Sequence, residues 1–231
     1  MEQPTARWRS RRHSSGRALL ALLGLLAASC GPRLTPEERL LRAASQDNGP
    51  VIAALISAGA RVDVRDDDGW TPLMHAAARG NEGAVRVLLK AGANPSAVTP
   101  RDQQPPLTLA ARWNRAEVVR ELLVGGASAV QRDGIGWTPL FWAALQGRTD
   151  VVAVLLDGGA DPGVSDPDGN TPLILTASRG HAEIVRLLLA HGASPASRTN
   201  DGETAASLAE KKGYPALAAL LTSRRTSSAN P

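Results

Sequence analysis

Apolar residues fall along this chain in two patterns. Near the start, Ala18 to Ala28 is an unbroken run of eleven apolar residues. That is too short for a transmembrane helix, which needs about 20. Beyond it, short apolar segments recur at helical spacing. Leu73, Ala76 and Ala77 share one helix face, as do Leu140, Ala143 and Ala144, because residues three and four apart lie on the same side of a helix. A second segment follows each: Val85, Leu88 and Leu89; Val118, Leu122 and Leu123; Ile184 with Leu187, Leu188 and Leu189. Thr-Pro opens the first helix of most pairs, since threonine caps free backbone amides and proline has no amide to leave unbonded. Gly80, Gly147 and Gly180 end that helix, and Asn114 serves in one unit, all being tolerant of a left-handed turn. The pattern predicts pairs of short helices, separated by polar Asp/Gly-rich segments such as Arg65 to Gly69 and Ser165 to Gly169.

The pairs recur at a fixed interval. Trp70-Thr-Pro-Leu73, Gln104-Pro-Pro-Leu107, Trp137-Thr-Pro-Leu140 and Asn170-Thr-Pro-Leu173 mark the same point in successive units. Their prolines, Pro72, Pro106, Pro139 and Pro172, are 34, 33 and 33 residues apart, and Gly59, Gly92, Gly126, Gly159 and Gly192 are 33, 34, 33 and 33 apart. The extra residue lies between Gly92 and Pro106. A period of this length means a solenoid, because one helix pair cannot bury its apolar side and neighbours must cover it. Alanines on the first helices let thin layers approach closely, so the chain manages with 3% aromatic residues.

Charge changes the picture less than it first suggests. The net charge is +4, but the first thirty residues hold five of the 26 basic side chains and one of the 22 acidic ones. The remainder is balanced, which removes the main support for nucleic-acid binding. Cys30 is the only cysteine, so no intramolecular disulfide and no four-cysteine metal site can form. A basic stretch from Arg7 to Arg17, the apolar run and small residues after it have the layout of a secretory signal. Leu26-Ala-Ala-Ser-Cys30 resembles the lipobox of bacterial lipoproteins, with Ala27 where leucine is preferred. That resemblance implies a signal peptide over 1–29, a lipidated Cys30, and a short tether over 30–36. The other reading of Cys30 is a small residue at an ordinary cleavage site. Gly31 in place of the aspartate that favours inner-membrane retention leans towards the outer membrane, at its periplasmic face. Ser10-Arg11-Arg12 is not continued as a twin-arginine signal by His13-Ser14-Ser15.

From about Glu37 to Leu221 the chain resembles the ankyrin repeat family. The run Trp70 to Ala77, then Gly80-Asn81, Val87-Leu-Leu89 and Gly92-Ala-Asn94 follow its consensus, and the unit from Asn170 to Ala193 is nearly as close. The resemblance implies an all-α solenoid of helix-turn-helix units with β-hairpin-like fingers over 37–221. It comprises a degenerate leading unit, four full repeats, a shortened end unit from Thr204 to Leu221, and a disordered tail over 222–231. The Gln103-Gln-Pro-Pro106 segment lacks the finger glycine and the threonine, so its finger is expected to be distorted.

Such an array binds other proteins on a concave face and carries no chemistry of its own. Carried onto this sequence, that face holds Asp67, Asp68, Trp70 and Arg79; then Gln104, Arg112 and Trp113; then Ile135, Trp137, Leu145 and Gln146; then Asp168, Asn170, Ser178 and Arg179. Tryptophan and arginine dominate binding hot spots, although Trp70 and Trp137 equally suit packing on their own fingers. Trp142 lies where the first helix packs inward and reads as core. The resemblance gives His181 a hydrogen-bonding role, not that of a ligand. His13, in the leader, and His75 and His191, in separate places, form no cluster. Asp66-Asp67-Asp68 lacks the ligand spacing of a calcium loop and reads as a solvated turn. No phosphate loop, nucleophile elbow or zinc-binding helix motif appears. The expectation is a monomeric, non-catalytic module without cofactor or metal, joined to a membrane by its lipid and to an unidentified protein. An inhibitor or immunity protein, or a protective factor for a periplasmic enzyme, is the alternative.

Overall fold

The computed structural model describes residues 34–227. The leader, Cys30 and the tether up to residue 33 lie outside the described residues. From Thr35 the described residues form one compact unit of twelve helices in six pairs. They are α1 (Pro36–Ser45) and α2 (Gly49–Ser57), α3 (Pro72–Arg79) and α4 (Glu82–Lys90), α5 (Pro106–Arg112) and α6 (Ala116–Val124), α7 (Pro139–Leu145) and α8 (Thr149–Asp157), α9 (Pro172–Ser178) and α10 (Ala182–Ala190), and α11 (Ala205–Lys211) and α12 (Pro215–Ser227). The first helices α1, α3, α5, α7, α9 and α11 stack in sequence, and α2, α4, α6, α8 and α10 form the second layer. This is the all-helical solenoid that the period predicts. Helix α12 continues to Ser227, past Leu221 where the repeat reading ends; residues 228–231 lie outside the described residues.

Local chemistry explains most helix starts. Thr35, Thr71, Thr171 and Thr204 each accept a hydrogen bond from the amide three residues on, which satisfies one of the free donors of the first turn. Thr138 does not: the Phe141 amide donates instead to the Thr138 carbonyl, at 3.0 Å. The turns between paired helices are left-handed, with φ of 84° at Gly80, 69° at Gly147, 74° at Gly180 and 58° at Asn114. Glycine is required at Gly147 for a second reason. A Cβ there would come within 2.8 Å of Cε1 of His181 from the next unit.

The core runs unbroken through all six units. Leu40, Ile52, Leu73, Leu88, Leu107, Leu122, Leu140, Leu155, Leu173 and Leu188 are fully enclosed, each contributing about 1.5–3 kcal/mol by leaving water. Ala76, Ala77, Ala110, Ala111, Ala143, Ala144 and Ala177 lie between them, also fully buried, and allow the first helices to approach within the 8–10 Å typical of packed helices.

Candidate protein-binding surface

The polar segments between units fold into tight fingers, and each is clamped by one side chain at its base. Asp66 Oδ1 accepts from the amides of Asp68 (3.1 Å) and Trp70 (2.8 Å), and Asp133 and Asp166 do the same in their fingers. Thr99 and Thr199 take that place with their hydroxyls, accepting from Gln104 and Glu203. The remaining carboxylate oxygens receive different donors. His75 Nε2 lies 2.6 Å from Asp66 Oδ2, Trp142 Nε1 donates to Asp133 Oδ2 at 2.7 Å, and Asn170 Nδ2 donates to Asp166 Oδ2 at 3.0 Å. Burial alone would raise the Asp66 carboxyl, but the His75 hydrogen bond, the Trp70 and Asp68 amides and the charge of His75 together hold it below its ordinary value. The aspartate run is thus a folding clamp at Asp66, with Asp67 and Asp68 exposed beyond it. Among the described residues no group of three His, Cys, Asp or Glu side chains is placed to hold a metal.

Fingers are tied to one another as well. Arg65 Nη1 donates to its own finger at Gly69 O (2.5 Å) and to the next at Val98 O (3.1 Å). Arg132 repeats this with Gly136 O (2.6 Å) and Ser165 O (3.0 Å), and Arg198 holds Gly202 O. Arginine therefore braces alternate fingers, and Arg65 and Arg132 each reach the carbonyl of the neighbour's equivalent residue, Val98 or Ser165. The finger from Thr99 to Gln104 is indeed distorted. It holds the extra residue of its unit, and Gln103 adopts φ 49° where other fingers have glycine.

Between this finger, the finger before it and the end of α5 lies a groove of about 470 Å³. It gathers six of the residues expected on the concave face: Asp67, Asp68, Trp70, Gln104, Arg112 and Trp113. Gln104 is only 4% exposed, so it forms part of the groove's floor. Trp113 is 53% exposed and stands on the rim. The Arg112 guanidinium lies 4.6 Å from the Trp142 ring centre and 5.9 Å from that of Trp113, a cation–π arrangement that carries the surface from the third unit to the fourth.

The other expected residues divide by what they touch. Ile135 is 57% exposed at its finger tip, and Asp168 and Arg179 are exposed. Trp70 is half-buried against His75 (5.3 Å between rings), and Trp137 against Phe141 (5.7 Å) and Trp142 (5.0 Å). Arg79 Nη1 sits 3.2 Å from His75 Nδ1, and Arg148 Nη2 donates to Gln146 Oε1 at 3.4 Å. Asn170 turns inward onto Asp166. Trp142 is not core: it is half-buried, bonded to Asp133 and stacked by Arg112. The available signal was its register with His75, four residues after the helix cap and opposite a finger aspartate. His181 makes no side-chain hydrogen bond among the described residues; its ring lies across Gly147.

Helix pairs stacked behind a braced row of fingers define a repeat solenoid whose open face offers contact chemistry. The chain belongs to the ankyrin repeat family, whose three-repeat model matches residues 20–99, 40–133, 97–166 and 140–230. Among solved structures it is similar to an ankyrin repeat domain from Acinetobacter baumannii AYE, with 30% identity over 81% of this chain and 98% of that one, at a TM-score of 0.74. No curated protein shows a match to the chain. Repeats of this family form protein–protein interaction scaffolds, and fold alone does not select a partner.

Proposed function

We propose that this chain is a non-catalytic protein-binding scaffold, anchored by lipid at Cys30 in a bacterial envelope, with the outer membrane favoured over the inner. The carrying observation is the open surface around Trp113, exposed beside Arg112 and the groove floored by Gln104. Large exposed aromatic rings next to arginine are the usual composition of a binding hot spot. The anchor rests on the apolar run ending in Ala-Ala-Ser-Cys30. Five residue steps separate Cys30 from Thr35, a reach of about 18 Å at roughly 3.5 Å each, so the array would stand close to the bilayer and meet envelope partners. Acidic finger tips at Asp67, Asp68 and Asp168 beside tryptophans favour one alternative, an inhibitor or immunity protein covering a basic enzyme cleft.

The test is cross-linking in envelope extracts with the native chain and with Trp113→Ala. Among the described residues Trp113 makes no hydrogen bond through its side chain, and it is 53% exposed, so its removal is expected to leave the fold intact. Loss of the cross-linked partner with Trp113→Ala is expected, and equal recovery by both would place binding elsewhere. Radiolabelled palmitate incorporation, abolished by Cys30→Ala, tests the anchor separately. If the cross-linked protein is a toxic or hydrolytic enzyme that the chain silences, the inhibitor reading replaces the scaffold.

A further inference from the structure

Two rows of exposed side chains run along the array in register. The finger tips present Asp68, Asp102, Ile135, Asp168 and Asp201, all exposed, and the longer finger of the third unit adds an exposed cation, Arg101, beside Asp102. The far ends of the first helices present Arg79, Trp113, Gln146, Arg179 and Lys212, of which Gln146 alone is half-buried. Where both rows border one cavity they form its two walls: Asp68 and Asp102 line the same groove as Trp113 and the neighbouring Arg112. The arginines at the finger bases do not stand over this face, because each is turned onto backbone carbonyls.

Charge leaves both rows at the same place. In the fourth unit the finger tip is Ile135 and the helix end is Gln146, and the half-buried rings of Trp137 and Trp142 lie between them, with the half-buried Arg112 guanidinium of the third unit stacked on Trp142 as the one charge beside them. Trp113 borders this zone from the third unit. On either side the charges return as opposite pairs, Asp68 with Arg79 at one end, Asp168 with Arg179 and Asp201 with Lys212 at the other. An apolar centre within a charged rim is the arrangement of an interface, where the centre supplies affinity and the rim supplies orientation.

We infer that the partner is an α-helix of another protein laid along this face, with a large apolar side chain over the fourth unit, lysine or arginine along its finger side, and aspartate or glutamate along its helix-end side. This rests on the protein-binding reading above. The spacing selects a helix over an extended segment. Stacked units repeat at about 10 Å, which is about three residues of a strand and about seven of a helix. Three residues along a strand reverse the side-chain face, whereas seven return a helix to the same face. Opposite rows also select direction, since turning the partner end for end sets its cations against Arg179 and Lys212.

The experiment selects displayed, helix-forming peptides of about 28 residues, randomised along one face and its two flanks, on the full-length chain. Enriched sequences are expected to share a large apolar residue near the centre, with cations and carboxylates segregated to opposite flanks at seven-residue intervals. Those peptides should lose at least tenfold in affinity to Ile135→Asp, to Arg179→Glu/Lys212→Glu and to Asp168→Lys/Asp201→Lys, all exposed positions whose side chains make no hydrogen bond among the described residues. Enriched peptides with mixed charges on both flanks, or indifferent to these substitutions yet weakened by Trp113→Ala, overturn this partner chemistry and leave the binding function standing. A selection that yields no peptide overturns the helical partner and leaves the binding function to the cross-linking test, whereas peptides indifferent to Trp113→Ala as well overturn both.

Discussion

Thr108 is fully enclosed in α5, and its hydroxyl has no hydrogen-bond partner among the described residues. In register with it, neighbouring units hold Met74, Phe141 and Ile174, all buried hydrophobes. Thr176, equally enclosed, differs: its hydroxyl lies 2.9 Å from Pro172 O and 3.1 Å from Leu173 O. A buried hydroxyl that bonds nothing still bears its desolvation cost, whereas a bonded one recovers it. Thr108→Val, which keeps shape and helix propensity, should therefore stabilise the chain by about 1 kcal/mol. Thr176→Val should destabilise it by about the same. Denaturant midpoints at constant slope measure both, and a loss on Thr108→Val would mean that the hydroxyl is satisfied after all. Such distinctions are not legible in sequence, because threonine reads alike at both places. Trp142 teaches the same lesson: its position in the repeat suggests core, but the Asp133 carboxylate and the Arg112 guanidinium turn it to the surface.

Among the elements, the glycine turns show two separate demands that a consensus merges into one letter. Gly92 has φ 84° with nothing within 4 Å of a would-be Cβ, so alanine there meets only backbone strain. Gly147 has φ 69° and the His181 ring close above it. Left-handed backbone costs a non-glycine residue about 1–2 kcal/mol, so Gly92→Ala should lose about that much. Gly147→Ala should lose at least about 1 kcal/mol more, since the ring must also move. The double variant Gly147→Ala/His181→Ala should recover that excess, giving a coupling that additive sites lack. Additive losses would show that the ring is not what demands glycine. The helix pairs themselves were legible because Thr-Pro, the apolar triplets and the closing glycine repeat in three of the four full units, and the third unit keeps the triplets with Pro105-Pro106 and Asn114 in the other two places. The place of the extra residue was bounded only to the stretch from Gly92 to Pro106. Thr99 fixes it within the finger, because its hydroxyl clamps Gln104 five residues on, where Asp66 clamps Trp70 four residues on. The alternating arginine braces were hidden too, as Arg65 acts on a carbonyl 33 residues away.

At the scale of the molecule, stability is a chain of neighbour contacts. Among the described residues, inner units are covered on both sides, and the unit of α11 and α12 is covered on one. Its hold is weaker still, because α12 packs chiefly on α11. An apolar cleft of about 390 Å³, bordered by Ala182, Tyr214, Leu217 and Leu220, opens between α10 and α12. Leu122 in α6 and Leu221 in α12 are both essentially enclosed, and by burial alone their truncation to alanine would cost the same, about 2–5 kcal/mol. Position separates them. Leu122→Ala weakens a unit that both halves of the array lean on, so hydrogen exchange should accelerate across α3 to α10 and the global unfolding midpoint should fall. Leu221→Ala should speed exchange in α11 and α12 while leaving α3 to α8 unchanged, because the end unit can open alone. If both variants accelerate exchange uniformly, the array unfolds as one cooperative block and the end unit is no weaker than the rest. Confined opening would instead leave the surface around Trp113 and Ile135 rigid, since the third and fourth units are covered by neighbours on each side. A binding face set in the middle of a solenoid is then protected by the fraying of its ends.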